Sequence, residues 1–429
     1  METAIPPVAF RDALRFWLKL GFISFGGPAG QIAILHEYVV ERRQWLTEER
    51  FLHALNYCML LPGPEAQQLA TYIGWLLHGV RGGLVAGILF VLPSAVLLLG
   101  LSWVYVTWGT LPAVVGILYG LKPAVVAIVL GALLKIGQKS LRTPLRISVA
   151  ALSFLALAVV RLPFPVVVLG AIFIGVIVQR WRPAWLRSTP PAGFAPQAAT
   201  IVEAPFRPGR RVLRLLLVAV ALWVLPLLIA TWLTGDWPFW RQLTGFFTAA
   251  AFFTFGGAYA VLPYVAQVAV EQLGWLTRLE MIDGLALGET TPGPLIMVLA
   301  FVGFMGAWRH GGHSIVWGAA GLALTTFYTF LPSFLFIFIG APLIERTRQD
   351  ERIKATLSVV TAAVVGVILN LALYLGSVVV WPQGLTQAPD WFSLSWIFVS
   401  VLALRWLQLN MVVWIVVSAI MGWAYSSLN

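Results

Sequence analysis

The chain has one cysteine, Cys58, in 429 residues, and only 10% of its residues are charged. A single cysteine excludes an intramolecular disulfide bond and a cysteine-based metal cluster. The five histidines form no group with cysteine, aspartate or glutamate at metal-ligand spacing. A nucleotide-binding P-loop, a nucleophile elbow and a kinase signature are also missing. We therefore expect no cofactor, no metal site and no enzyme activity.

Polar residues are scarce as well, because 60% of the chain is hydrophobic and the mean hydropathy is +0.88. A soluble domain cannot bury that much apolar surface, so we predict an all-α polytopic protein of the lipid bilayer. The net charge of +11 does not indicate a nucleic-acid partner, since the arginines fall between apolar runs. The pattern predicts about thirteen transmembrane helices, in apolar segments at about 11–38, 51–79, 83–106, 112–136, 145–160, 163–180, 213–233, 242–271, 281–307, 314–340, 355–379, 392–404 and 408–427.

Short motifs recur along the chain and indicate an internal duplication. Three of them share one offset in the numbering, 230: FGG (25–27 and 255–257), WLT (45–47 and 275–277) and PGP (62–64 and 292–294). LPS follows at 92–94 and 331–333, an offset of 239. We predict a first repeat at 1–181, a Pro/Arg-rich cytoplasmic linker at 182–211, a connecting transmembrane helix at 212–234, and a second repeat at 235–429. Six spans plus one make an odd number, so the second repeat should be inverted in the membrane.

The positions of lysine and arginine orient the chain. The basic loops 135–146 and 341–354 fall on one side, whereas their repeat counterparts near 376–391 and 107–111 contain no lysine or arginine. The positive-inside rule then places the N-terminus in the cytoplasm and the C-terminus outside. One loop does not fit and would place three arginines outside, Arg42, Arg43 and Arg50.

Each Pro-Gly-Pro motif must break a membrane helix, because proline removes a backbone donor and clashes with the preceding turn. If the segment 51–79 were a hairpin that does not cross, the basic loop 135–146 would move outside. Charge therefore favours a broken helix that still spans the membrane. Beyond Pro64 and Pro294, the free amides of a new helix would face the break and could bind an anion. The alternative is a kink that only shapes the bundle.

A second break is expected in the first span of each repeat, at Gly26-Gly27-Pro28 and at Gly256-Gly257. Ala258 replaces the proline in the second repeat, so this break need not be symmetric. Paired glycines also permit close packing between helices, which is the alternative explanation.

Charged residues inside the apolar segments are candidates for function. Lys122 lies within the 112–136 segment and could attract an anion, or it could extend to the membrane surface. Glu65 and Glu289 flank the breaks and are candidates for proton coupling. Glu65 could equally be an acid that only stabilises the helix dipole. The predicted contacts to a small oxyanion are Gly26, Gly27, Pro28, Gln31, Pro62, Gly63, Pro64, Gln67, Gln68, Lys122, Gly256, Gly257, Thr290, Thr291, Pro292, Gly293 and Pro294.

The ordered set of motifs resembles the chromate ion transporter family in its long, two-domain form. The likeness rests on FGGP (25–28), the stretch from 45 to 79, GLKPAVVAIVL (120–130), ALGETTPGPL (286–295) and TAAVVGVILN (361–370). The resemblance implies a bacterial or archaeal inner-membrane protein that exports chromate, driven by the membrane potential or a proton gradient, and so confers chromate resistance.

Several alternatives stay open. Sulfate and molybdate are tetrahedral dianions like chromate, and these residue types do not separate them. A passive anion channel and a membrane enzyme acting on lipid intermediates are further possibilities, although no catalytic cluster supports the enzyme. A homodimer is also considered.

Overall fold

The computed structural model describes residues 8–181, 208–255, 257–344, 351–384 and 386–428. Within these ranges the chain forms α-helices and no strands. The first repeat contains α1 (Phe10–Ile23), α2 (Gly27–His36), α3 (Glu48–Cys58), α4 (Glu65–Trp108), α5 (Pro112–Ser140), α6 (Pro144–Ala158) and α7 (Phe164–Trp181). The rest comprises α8 (Pro208–Thr234), α9 (Trp237–Phe253), α10 (Ala258–Ala266), α11 (Arg278–Thr290), α12 (Val298–His310), α13 (Ile315–Ile344), α14 (Glu351–Val380), α15 (Trp391–Arg405) and α16 (Met411–Leu428).

Seven of the described helices are long and apolar enough to cross a membrane: α4, α5, α7, α8, α13, α14 and α16. Three shorter apolar helices accompany them, α6, α15 and the stretch Leu295–His310. The chain is therefore an all-α polytopic membrane protein, as predicted. The predicted count of thirteen spans and the inversion of the second repeat stay predictions. Most of the predicted linker, 182–207, lies outside the described residues.

The duplication extends to details of the backbone. Short π-helical turns follow α2 and α10, at Glu37–Arg42 and Gln267–Gln272, again at the offset of 230. Helices α5 and α14 end at Ser140 and Val380, an offset of 240 that is close to that of the LPS motifs. Each described helix from α1 to α7 has its counterpart, in the same order, among α9 to α16, with α12 and α13 together matching α4. Only α8, the predicted connecting helix, has none.

The chain reverses direction at both Pro-Gly-Pro motifs. In the second repeat α11 and α12 lie side by side, as two contacts show. A Cβ at Gly284 would touch the ring of Phe301, and Arg309 binds Glu280 at 2.6 Å. The first repeat does the same with α3 and the first arm of α4, residues 65–77. The rings of Tyr57 and Tyr72 are 6.0 Å apart across that hairpin. The prediction of a broken helix that continues across the membrane is therefore wrong.

The Phe-Gly-Gly breaks also reverse the chain. Phe16 of α1 stacks on Tyr38, beyond the end of α2, with ring centroids 3.8 Å apart. In the second repeat Phe246 of α9 contacts Tyr264 of α10, with the two rings tilted and their centroids 5.5 Å apart. Each repeat thus has two hairpins, and two added reversals leave the side of every later loop unchanged. One hairpin alone would move the basic loop 135–146 to the other side of the membrane, whereas two hairpins in the same repeat do not.

We call these four units the break hairpins: α1–α2, α3 with 65–77 of α4, α9–α10, and α11–α12. The second hairpin of the first repeat, α3 with 65–77 of α4, ends at a sharp bend where His78 and Gly79 leave helical geometry. Long helices α5 and α14 pack on each other, α5 also on α15 and α16, and α14 also on α6 and α7. The α5–α16 crossing brings the backbones together at Gly120 and Gly422, which is typical of small residues between membrane helices.

Candidate functional site

The breaks of one repeat are hydrogen-bonded to the breaks of the other. The amide of Gly63 donates to the carbonyl of Thr254 at 2.8 Å, and the amide of Gly293 donates to the carbonyl of Ser24 at 2.8 Å. Gly63 and Gly293 are equivalent positions of the two repeats, and so are Ser24 and Thr254, so the two bonds are equivalent to each other. Such an exchange is the pattern that a two-fold relation between the repeats produces. The two bonds join the four break hairpins in two pairs, and α10 also packs on the 3₁₀ turn Leu295–Met297, which brings the two pairs together.

The backbone at the Pro-Gly-Pro motifs requires glycine. Gly63 has φ of +124° and Gly293 has φ of +110°, values that side chains with a Cβ rarely adopt. A Cβ at Gly63 would lie 2.5 Å from Ser333 Oγ, and one at Gly293 would lie 3.0 Å from Ser94 Cβ. Both serines belong to the LPS motifs, so each Pro-Gly-Pro turn is pressed against the serine of the opposite repeat.

Half-helices begin directly after both Pro-Gly-Pro turns. In α4 the first amide bonded within the helix is that of Gln68, which donates to Pro64 O at 3.0 Å. The preceding amides point toward the break, as the first amides of any helix do. In the second repeat a 3₁₀ turn comes first, and Met297 donates to Pro294 O at 2.9 Å. Both helix N-termini thus present the positive end of a helix dipole to the meeting point.

Two glutamines of α4 are fully buried beside this turn. Gln68 Nε2 donates to Pro62 O at 2.8 Å and contacts Ser333 Oγ at 3.4 Å. Gln67 Nε2 donates to Thr71 Oγ1 at 3.1 Å. Among the described residues, the side-chain oxygens of both glutamines have no hydrogen-bond partner. The site therefore holds buried acceptors as well as the amide donors.

Gln31 connects the two repeats. Its Nε2 donates to Gly293 O at 2.6 Å and to Ser24 O at 3.2 Å. Gln31 is 1% exposed. The predicted oxyanion ligand is thus a strut that holds the backbone of two breaks together, and its position in the second repeat is taken by Val261.

Glu289 is a buried acid at the end of α11. Its exposure is 6%, and Tyr259 Oη donates to its Oε1 at 2.8 Å. Glu289 and Thr290 line a cavity of about 440 Å³, whose other lining residues are apolar and belong to α4, α5, α11 and α16. The carboxylate is therefore held by one tyrosine in apolar surroundings.

Lys122 is paired rather than free. Its Nζ lies 3.1 Å from Asp283 Oδ1, and Tyr105 Oη donates to Asp283 Oδ2 at 3.0 Å. This trio joins α5 and α4 of the first repeat to α11 of the second. In this conformation the lysine charge is already neutralised.

Comparisons with known proteins identify the family of the chain. A family model described as chromate transporter matches residues 11–176 and 240–423, which covers both repeats and omits the linker. The chain belongs to the chromate transporter family. The two matched ranges contain all but the first few residues of the four break hairpins, so the family match and the internal repeat cover nearly the same parts of the chain.

Curated members of the family match over most of their length. A chromate transport protein of Cupriavidus metallidurans is 29% identical over 86% of this chain and 83% of that protein. One of Pseudomonas aeruginosa is 29% identical over 98% and 94%. An uncharacterized transporter of Methanocaldococcus jannaschii is 26% identical over 99% and 96%. These relatives are named as transporters rather than enzymes. No solved structure matches the chain.

The structure brings most of the predicted site residues together in this transporter. Both Pro-Gly-Pro turns, Gln31 and the two glutamines meet at the breaks, where Gly26, Gly27 and Gly257 have positive φ. The hydroxyls of Thr290 and Thr291 donate to carbonyls of their own helix. Gly256 lies outside the described residues. No group of three or more potential metal ligands occurs among the described residues.

Sequence reasoning did not assign a role to three residues that belong to this region: Ser94, Ser333 and Asp283. The repeated LPS motif was a usable signal for the two serines. Asp283 and Lys122 lie far apart in the sequence, one in each repeat, and nothing local connects them.

Proposed function

We propose that this protein is a secondary transporter of chromate, with the substrate bound where the four break hairpins meet. The observation that carries the proposal is the exchanged pair of bonds from Gly63 to Thr254 and from Gly293 to Ser24, in a chain of the chromate transporter family. Broken helices that meet between two repeats are typical of transporter binding sites. The relatives named as chromate transport proteins supply the substrate.

The hairpins also suggest a topology. If no break hairpin crosses, α4, α5, α6 and α7 cross in the first repeat, α13 to α16 cross in the second, and α8 crosses between them. The N-terminus is then cytoplasmic, the C-terminus external and the second repeat inverted. Arg42, Arg43 and Arg50 now fall on the cytoplasmic side with the other basic loops, which removes that exception to the positive-inside rule. The membrane is the bacterial or archaeal plasma membrane.

Backbone amides would be the principal ligands of the dianion. The half-helices after Pro64 and Pro294 offer amides and the positive ends of two dipoles, a favourable environment for an oxyanion. Helix dipoles that point at an anionic group are used in this way where membrane helices are interrupted. The amides and dipoles do not distinguish chromate from sulfate, so sulfate is the second candidate substrate.

Glu289 is the better candidate for coupling transport to protons, because it is buried and held by Tyr259. Glu65 stands at the first position of its half-helix, where a negative charge is stabilised by the dipole. A buried acid beside an anion site can exchange its charge for that of the substrate. Export and chromate resistance follow if the proton gradient drives chromate out of the cell.

The test uses purified protein in liposomes with radiolabelled chromate. We expect uptake that depends on an imposed pH gradient or membrane potential and that falls with excess sulfate. Chromate flux equal to that of empty liposomes would contradict chromate transport. Flux that only follows the chromate gradient would indicate a channel.

Coupling is tested separately with Glu289→Gln. If Glu289 carries the proton, the variant loses accumulation driven by a pH gradient but retains exchange of internal for external chromate. Glu65→Gln serves as the matched comparison. Loss of driven accumulation in Glu65→Gln alone would move the coupling role to Glu65.

A further inference from the structure

The two repeats differ in how far their break hairpins are exposed. Met59, just after α3, is 55% exposed, whereas its counterpart Glu289 in α11 is 6% exposed. Asn56 is exposed, and its counterpart Ala286 is buried at 1%. Every residue from 281 to 289 is buried, while α3 alternates between buried and open positions. One face of the first-repeat hairpins is therefore uncovered.

The packing of the long helices explains the difference. Helix α11 packs on α5, α12 and α14, and α10 packs on α14. The equivalent contacts of the first repeat would join α3 to α14 and α5, and α2 to α5. Instead, the extensive contacts of α3 among the described helices are with α4, and those of α2 are with its own π-helical turn and α4. The long helices are thus closed on the second-repeat hairpins and separated from the first.

One ion pair lies in the closed contact. Asp283 of α11 is 5% exposed, and it binds Lys122 of α5 and Tyr105 of α4. The two repeat offsets place His53 and Thr361 at the equivalent positions of the other contact. These two side chains cannot form a lysine–carboxylate pair, so the first-repeat hairpin has no such fastening.

We propose that this structure is one of the two end states of transport, closed on the second-repeat side, and that the Lys122–Asp283 pair is the latch that holds it closed. The inference rests on the proposed transport function. In the proposed topology the uncovered face of α2 and α3 opens to the cytoplasm. In the opposite state α2 and α3 close on α5 and α14, the latch separates, and α10 and α11 open outward.

The latch biases the equilibrium between the two states, because the pair exists in only one of them. Its removal shifts the population toward the outward-open state. Lys122 is then a positioning residue that acts through α11. Its free charge appears at the outer opening only after Asp283 has moved away.

Cysteine labelling tests the latch. Cys58 is buried, so a Cys58→Ser background carries either Asn56→Cys or Ala286→Cys, which are equivalent positions. With a membrane-permeant maleimide we expect Asn56→Cys to react at least about tenfold faster. Adding Asp283→Asn or Lys122→Gln should accelerate Ala286→Cys by about fivefold or more, within the usual range of coupling between sites, and slow Asn56→Cys.

The matched control is Lys135→Gln, which removes a lysine elsewhere on α5 and should leave both rates unchanged. The exchanged pair Lys122→Asp with Asp283→Lys should restore the original ratio, and Tyr105→Phe gives a milder shift if the charge variants do not fold. Equal rates at Asn56→Cys and Ala286→Cys, or a ratio that the latch variants do not change, would overturn the proposal. Because labelling needs no chromate, this result is independent of the transport assay.

Discussion

The two repeats share a backbone but not a chemistry. The π-helical segments and the positive-φ glycines of the breaks, Gly27 with Gly257 and Gly63 with Gly293, recur at the offset of 230, yet the side chains around them differ. Gln31 corresponds to Val261, Glu65 to Leu295 and Asp283 to His53. The duplicated part is therefore the backbone that breaks the helices, whereas the polar side chains around the breaks differ between the repeats.

Substitutions are expected to act differently at features that both repeats share and at features found in only one repeat. A substitution at a shared backbone feature should be harmful at either of its two equivalent positions, although by unequal amounts where the surroundings differ. A substitution at an unshared side chain should affect one repeat and have no counterpart in the other.

The largest effect is expected at the shared glycines. Gly63→Ala and Gly293→Ala both force a Cβ onto a positive φ, at a cost on the order of 1–3 kcal/mol each. Gly63→Ala should be the more damaging, because its Cβ would meet both Ser333 Oγ at 2.5 Å and Gln68 Nε2 at 2.7 Å. The measurement is folded yield and melting temperature in detergent.

Gly100→Ala is the matched control, since a Cβ at Gly100 would meet nothing within 4 Å. It lies inside α4, where alanine is favoured over glycine by about 1 kcal/mol. A melting temperature that drops as much in Gly100→Ala as in Gly63→Ala would remove the argument from backbone conformation.

An intermediate effect is expected at the unshared strut. Gln31→Val copies the second-repeat residue into the first repeat and removes the donor to Gly293 O and Ser24 O. Loss of a buried partner costs about 1–3 kcal/mol, so thermal stability should fall and the breaks should exchange amide hydrogens faster. The reverse change, Val261→Gln, should restore nothing, because the strut must come from α2. Unchanged protection at Gly293 in Gln31→Val would contradict the strut.

The smallest effect is expected at Asp236, between α8 and α9. Its carboxylate accepts a hydrogen bond from His310 Nε2 at 2.6 Å, and this bond, with the amide of Phe239, holds the pKa of Asp236 below its ordinary value of 3.8. Because its pKa is lower in the folded protein, the ionised Asp236 stabilises the fold above about pH 4. This stabilisation is lost as the pH falls through the pKa of the folded state. The first repeat has Val80 at the position of His310, so this pair is also unshared.

Asp236→Asn should lower the melting temperature by about 1–2 °C at pH 7. The difference from the unsubstituted protein should shrink as the pH falls below the ordinary aspartate pKa and should disappear once Asp236 of the folded protein is protonated. Asparagine still caps α9, so Asp236→Ala should cost more. A pH-independent difference for Asp236→Asn would contradict the role of its charge.

The sequence predicts the duplication and the connecting helix α8, and the helix breaks that it predicts at the Pro-Gly-Pro motifs are present in the structure, because proline and glycine act locally. It does not predict the chain reversals, since a hairpin and a broken span have the same local sequence. Phe16 and Tyr38 reveal the reversal only through a contact between distant residues. The partner of Lys122 could not be predicted for the same reason: Asp283 is in the other repeat, far away in the sequence.

The bond from Gly63 to Thr254 also sets a schedule for biosynthesis. The acceptor is encoded almost two hundred codons after the donor, and chains grow at about 5–20 residues per second. The first Pro-Gly-Pro turn therefore leaves the ribosome about 10–40 s before its partner exists. Until then the amide of Gly63 has no acceptor within the protein. The first half of the nascent chain therefore inserts early but completes its folding only after the second half has been synthesised.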